Sequence, residues 1–238
     1  TDAWTLDGCS YTQHSADLTD VNPYGLEFSD DGTKMWYVGA DSDDVFYSTL
    51  STAWDLSTLT LEVDTKDVSN GGGNTHKTGF QWNNNGNHFT INDQESINGG
   101  IGSGARTVHE EWSCTTPYDI MSCSFSESYT LSEGNIMSTT VSPDGTTIIG
   151  MGSGVYQGTS GENLYRYDCS TGFDLTSCSQ TGSAVNYSST DSNFSWCLVN
   201  DSGDRMLCVG NSNKNIYSYT MPQGNPNTII SATGTAIE

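Results

Sequence analysis

An all-β fold of four repeated antiparallel sheets is what this 238-residue sequence predicts. Three observations predict it: a glycine-centred tight turn that returns four times, a pair of matched columns nine residues apart downstream of each turn, and a composition with only 34% hydrophobic residues. Ser, Thr, Asn and Gly fill the difference, which suits short strands joined by many turns. The length is enough to bury a real core.

The first repeat runs Gly25-Leu26-Glu27-Phe28, bends at Ser29-Asp30-Asp31-Gly32-Thr33, and continues as Lys34-Met35-Trp36-Tyr37-Val38. The second carries Phe80-Gln81-Trp82 before Asn83-Asn84-Asn85-Gly86, the third Thr140-Val141 before Ser142-Pro143-Asp144-Gly145, and the fourth Leu198-Val199 before Asn200-Asp201-Ser202-Gly203. These turn glycines recur every 54 to 59 residues. Asp, Asn and Pro favour the bend, and Gly takes a positive φ without steric cost, so each segment is an a-to-b hairpin. A c strand follows each, at Val45 to Leu50, Thr107 to Cys114, Leu164 to Cys169 and Ile216 to Met221. The columns then pair Leu50 with Leu59, Cys114 with Cys123, Cys169 with Cys178 and Met221 with Ile230, which fits a c-to-d hairpin. Ala53-Trp54-Asp55-Leu56, Pro117-Tyr118-Asp119-Ile120 and Gly172-Phe173-Asp174-Leu175 fill the turns between them. Four units of about 50 to 60 residues, four strands each, match the blades of a four-bladed β-propeller. A sandwich also uses short strands, but does not require one hairpin and one column pair to return four times.

Ser142-Pro143-Asp144-Gly145-Thr146 and Ser29-Asp30-Asp31-Gly32-Thr33 resemble the Ser-x-Asp-Gly turn of the WD-like propeller class, as found in extracellular and virion-surface propellers. The resemblance covers nearly the whole chain and implies architecture rather than an activity, since the class includes enzymes, ligand domains and virion components. It implies one propeller domain over 1–238, with repeats at roughly 25–67, 79–131, 138–186 and 196–237.

One strand is surplus. Residues 1–18 contain Trp4-Thr5-Leu6-Asp7-Gly8-Cys9, which aligns with Tyr118 to Cys123 as a d strand, yet Ile230 to Ile237 also resembles the d strand of the fourth repeat. Either end closes the ring by completing the last blade, or one terminal strand is donated to a neighbouring molecule. Excision from a longer array of repeats is the third reading.

Of seven cysteines, the spacings pair Cys114 with Cys123, Cys169 with Cys178, and Cys197 with Cys208, each across one hairpin. Such bridges imply oxidising surroundings. No Cys-x-x-Cys pair suggests a zinc site. Cys9 is left over, as an unpaired thiol or an intermolecular link. Asn186, Asn193 and Asn200 open glycosylation sequons, in keeping with secretion.

A formal net charge of -22 repels phosphate backbones and anionic lipid, so nucleic acid is excluded as a partner. No apolar run suggests membrane insertion. The loops from d to a and from b to c share one face, which names Gly39 to Asp44, Asp93 to Gly104 and Gly152 to Gly161 as the expected ligand surface. Asp41, Asp43 and Asp44 offer oxygens to calcium, although the complete Asp-x-Asp-x-Asp-Gly loop is missing. His14, His76, His88 and His109 lack metal-site spacing. No Gly-x-Ser-x-Gly elbow marks a nucleophile. Glu95, Glu110 and Glu111 are candidates for a glycosidase pair, but nothing singles out two of them. The stretch Gly71-Gly72-Gly73 to Lys77-Thr78 nears a phosphate loop, with His76 where a glycine is needed. Trp36, Tyr37, Tyr47, Trp112, Tyr165 and Tyr217 fall in strands, where blades pack; Tyr24, Tyr156 and Tyr187 fall in loops.

The expectation is therefore a non-enzymatic, acidic, extracellular or virion- or cell-surface module for structure and interaction, requiring no cofactor. Its expected partners are copies of itself, in an oligomer or polymer joined through a terminal strand, or a cell-surface ligand. The alternatives are a glycan-binding module, with or without calcium, and a carbohydrate-active enzyme.

Overall fold

The computed structural model describes residues 15, 17–69, 76–95, 106–131, 136–152, 163–186, 194–200, 202–210 and 215–221. Among the described residues, alternating residues and turn glycines produce sixteen strands. Blade 1 comprises β1 (Pro23–Phe28), β2 (Lys34–Gly39), β3 (Asp44–Leu50) and β4 (Leu59–Asp67). Blade 2 comprises β5 (Lys77–Trp82), β6 (His88–Glu95), β7 (Arg106–Cys114) and β8 (Cys123–Thr130). Blade 3 holds β9 (Ile136–Val141), β10 (Thr147–Gly152), β11 (Asn163–Cys169), β12 (Cys178–Gln180) and β13 (Val185–Asn186). Blade 4 holds β14 (Phe194–Val199), β15 (Arg205–Gly210) and β16 (Asn215–Thr220) among the described residues. Neighbouring strands pair in chain order and antiparallel, the arrangement of a four-bladed β-propeller.

The a-to-b turns show why the Ser-x-Asp-Gly pattern folds this way. Asp31 accepts from the Ser29 hydroxyl at 2.7 Å and from the backbone and hydroxyl of Thr33 at 3.0 and 2.7 Å. Asp144 repeats this with Ser142 and Thr146. In blade 4 Asn200 takes over, its Oδ1 accepting from the backbones of Asp204 and Arg205 at 3.1 and 3.0 Å. Each c-to-d connection of blades 1 to 3 contains an aromatic with positive φ, Trp54 at 62°, Tyr118 at 59° and Phe173 at 55°, followed by a single 3-10 turn. The d strand of blade 3 is broken, unlike the continuous strand expected: Gly182 takes φ 74°, and pairing with β11 resumes only at Val185–Asn186.

All three expected disulfides form, joining Cys114 to Cys123, Cys169 to Cys178, and Cys197 to Cys208. Each joins residues directly opposite in the ladder. They are the chemistry of an oxidising environment. Among the described residues no helix is long and apolar enough to cross a membrane. The surplus N-terminal strand, the C-terminal strand of the fourth repeat, Cys9 and Asn193 lie outside the described residues.

The core sits between blades. Trp36, Val38 and Val45 of blade 1 pack on Phe80, Trp82, Phe89, Ile91 and Trp112 of blade 2. Ile149, Met151 and Leu164 of blade 3 pack on Cys197, Met206, Cys208, Tyr217 and Tyr219 of blade 4. The strand aromatics Trp36, Tyr37 and Trp112 thus serve packing, as expected. Hydrogen bonds stitch successive a strands: Glu27 accepts from Trp82 N–H at 2.7 Å, Gln81 from Val141 N–H at 2.9 Å, and Thr140 from Val199 N–H at 3.3 Å.

Candidate functional site

A cavity of about 340 Å³ opens on the face that carries the a-to-b and c-to-d turns. Its size lies at the lower end of the roughly 300–1,000 Å³ typical of small-molecule sites. Three blades build it. Blade 1 contributes Glu27, Phe28, the turn from Ser29 to Asp31, Lys34 and Trp36; blade 2 contributes Gln81, Trp82, Asn83, Asn84 and Tyr118; blade 3 contributes Pro143.

Aromatic rings form one wall. Trp36 and Trp82 meet edge to face at 5.5 Å, and Tyr118 lies 5.5 Å from Trp82 and 6.0 Å from Trp36. The Tyr118 hydroxyl donates to the Asn84 carbonyl at 2.6 Å, so ring and turn are fixed together. The indole N–H groups of Trp36 and Trp82 are buried and have no hydrogen-bond partner among the described residues. Unsatisfied buried donors are rare in folded proteins.

The rim is acidic. Hydrogen bonds from Ser29 and Thr33 hold the Asp31 carboxyl down at about 2, so it is ionised throughout the physiological range. Burial, with Asp30 and Glu27 beside it, holds the Tyr118 hydroxyl above its ordinary value. Lys34 is the cation of the rim, its Nζ 5.9 Å from the centre of the Tyr118 ring. The lining thus sets the edges of these rings and the side-chain amides of Gln81, Asn83 and Asn84 beside the carboxylates of Glu27, Asp30 and Asp31.

Of the ligand surface expected from the loop pattern, Gly39 to Asp44 lies at the other end of the strands, between β2 and β3. The loops of that surface fall partly outside the described residues, and the cavity is built instead by the turns whose glycines and aspartates carry the repeat. Among the described residues no group of three His, Cys, Asp or Glu side chains is gathered to hold a metal ion. Of the three aspartates named for calcium, Asp41 accepts from the Asn22 amide at 2.9 Å, and Asp44 is held above its ordinary carboxylate value by burial and by the charges of Asp67, Asp43 and Asp20.

Other singled-out residues serve blade 2. Glu110 and Glu111 are adjacent in β7, so they point to opposite faces of the sheet and do not form a carboxylate pair. Glu110 accepts from the buried Lys77 ammonium at 3.0 Å, and Asp93 accepts from it at 2.8 Å. Lys77 is therefore a structural charge rather than a phosphate ligand; Gly71 to Gly73 lie outside the described residues. On the other face, Glu111 and His88 Nδ1 lie 2.7 Å apart. Burial, then Glu127 and Asp174, raises Glu111 to about 8, while burial lowers His88, so neutral Glu111 donates to neutral His88. His109, wholly buried and lowered to about 4, donates through Nδ1 to Asn92 Oδ1 at 2.9 Å. Asn186 is exposed in β13, whereas the Asn200 amide nitrogen donates to Ser202 and Asp204 at 2.9 and 2.7 Å within its turn.

No protein-family profile matches the chain, and no curated protein sequence does. A Bacteroides fragilis protein provisionally named a 6-phosphogluconolactonase is similar over 91% of this chain and 53% of its own, at 11% identity and a TM-score of 0.52. A Lactobacillus plantarum protein is similar over 91% of this chain and 56% of its own, at 13% identity and a TM-score of 0.52. A luciferin-regenerating enzyme is similar over 90% of this chain and 76% of its own, at 9% identity and a TM-score of 0.50. The chain thus spans about half the length of the first two, and these likenesses show the fold alone.

Proposed function

We propose that this chain is an extracellular, non-enzymatic interaction module, a WD-like propeller that binds neutral glycan in the cavity between blades 1 and 2. The carrying observation is the cavity wall itself: Trp36, Trp82 and Tyr118 beside Glu27, Asp30, Gln81, Asn83 and Asn84. Sugars present an apolar ring face and a fringe of hydroxyls, and the half-buried Tyr118 ring with the amides and carboxylates of the lining offers a complement to both. Sugar phosphates fit poorly, because the lining sets Glu27, Asp30 and Asp31 against a single cation, Lys34. The three disulfides support an oxidising, extracellular setting. Glu110 and Glu111, turned to opposite faces and engaged with Lys77 and His88, give no support to the hydrolase alternative.

The test is binding to an array of neutral and anionic oligosaccharides, followed by calorimetric titration of the hits. Neutral glycans should bind, with loss of at least tenfold in affinity on Asp30→Ala combined with Asn84→Ala, two changes in exposed turns. Binding abolished by chelator would add calcium to the site. Equal affinity in the double variant would reject the cavity, and product released from the bound glycan would reject the non-enzymatic reading.

A further inference from the structure

At two successive junctions, the aromatic residue of one blade's c-to-d turn is covered by the blade before it. The covering residue is the first of strand b, two positions after the turn glycine: Lys34 after Gly32 at the start of β2, and His88 after Gly86 at the start of β6. His88 of blade 2 stacks on Phe173 of blade 3, ring centres 5.3 Å apart and planes 16° from parallel. Lys34 of blade 1 reaches over Tyr118 of blade 2, its Nζ 5.9 Å from the ring centre. The same seat therefore holds a flat ring at one junction and an ammonium at the other.

The two occupants are held differently. His88 is fixed from behind by Glu111, 2.7 Å from its Nδ1. Lys34 is fixed only at its backbone, where its N–H donates to the Ser29 hydroxyl at 3.0 Å and its carbonyl accepts from the Ser29 N–H at 3.0 Å. Among the described residues its ammonium makes no hydrogen bond or ion pair, so a long flexible stem is held over the ring by cation–π attraction alone. One face of the Tyr118 ring lies on Gly86, so any molecule that stacks on Tyr118 needs the other. Glu27, Asp30 and Asp31 stand in the same lining as Lys34, and the Lys34 charge already acts on the ionised Asp31 carboxyl. The ammonium thus has carboxylates to move to.

We propose that Lys34 is the resident occupant of the remaining face of Tyr118 and the residue that sets the specificity of the cavity: a sugar ring takes that face as the ammonium swings to the carboxylates of the lining. The inference rests on the glycan reading of the cavity and names the group that a glycan has to displace. The blade 2 to blade 3 junction shows that the seat accepts a flat ring, since His88 lies stacked there. That seat stays closed, because Glu111 holds the imidazole in place, so stacking of a ligand is confined to Tyr118. A cation–π contact at a half-exposed ring is weak enough to be exchanged for a stacked sugar. Once displaced, the ammonium lies among acids and is less available to a phosphorylated sugar, which sharpens the preference for neutral ones.

The experiment is calorimetric titration of wild type, Lys34→Ala and Lys34→Arg with a neutral oligosaccharide that the array identifies. Lys34→Ala removes the occupant, so affinity should rise about two- to fivefold, the worth of one cation–π contact at a partly exposed ring. Lys34→Arg installs a planar group that stacks more firmly on aromatic faces, so affinity should fall below that of wild type. The reverse order, with alanine the weakest binder and arginine close to wild type, would make Lys34 a donor to the sugar and overturn the proposal; equal affinities of all three overturn it as well. The Lys34 ε-methylene resonance, assigned by its loss in the alanine variant, should move when wild type is saturated with the glycan. A resonance that stays in place while glycan binds overturns the proposal and leaves the glycan reading standing. A wild type that binds no neutral glycan removes both.

Discussion

The backbone N–H of Tyr118 donates to the carbonyl of Gly86 at 2.9 Å, and a Cβ built on Gly86 would lie 2.5 Å from the Tyr118 ring. Glycine is thus required here twice, by φ 69° and by the ring laid over it. Trp54 covers Gly32 and Phe173 covers Gly145 in the same manner. The c-to-d turn of blades 1 to 3 therefore locks the a-to-b turn of its own blade, and in blade 2 this lock also sets a wall of the cavity.

Gly86→Ala should accordingly cost more than Gly203→Ala. Both glycines have positive φ, but nothing lies within 4 Å of a Cβ at Gly203. The latter change should cost about 1 kcal/mol from backbone strain, and the former about 2–4 kcal/mol with displacement of Tyr118. Urea unfolding of both variants checks the order.

The turn-and-lid arrangement was legible in the sequence because its two halves recur at fixed spacing, and the disulfide pairs were legible because they replace an apolar pair in the same columns. The polar interior of blade 2 was not. Glu110 and Glu111 look like surface acids in an alternating strand, yet both are buried, because blade 2 is flanked on each face by another blade. Their partners Lys77 and His88 come from other strands of the same sheet, a relationship that a strand-by-strand reading does not supply. The cavity escaped for a similar reason: its wall is assembled from turns of three blades, none of which is distinctive alone.

Replacing Lys77 with Met should destabilise the fold by about 3–5 kcal/mol, since two buried carboxyl groups would lose their countercharge. Combining it with Asp93→Asn and Glu110→Gln should restore much of that loss. Denaturant midpoints at neutral pH separate this outcome from simple loss of packing, which the added substitutions would not repair.

Stability should depend on Glu111 with a definite sign. Its folded-state value is raised to about 8 from 4.5, so its contribution is full below pH 4.5 and is lost as pH rises through 8. Glu111→Gln retains a donor for His88 without ionising. The wild type should therefore lose stability relative to the variant across that interval, by on the order of 1–3 kcal/mol after allowance for water at the edge of the cluster. Parallel pH profiles for the two proteins would refute the buried neutral carboxyl.

Each disulfide closes a short loop, of 9 or 11 residues in sequence separation. Replacing Cys114 and Cys123 together by Ser should cost about 2–3 kcal/mol. Thermal unfolding with and without reductant measures it, and the double variant should show a smaller response to reductant than wild type.

The most direct measurement of the functional account is calorimetric titration of the intact chain with a neutral oligosaccharide chosen from the array, alongside its phosphorylated counterpart. The account predicts saturable binding of the neutral sugar that the Asp30→Ala and Asn84→Ala double variant loses, with weaker binding of the phosphorylated form. Preference for the phosphorylated sugar, or undiminished binding by the double variant, would contradict it.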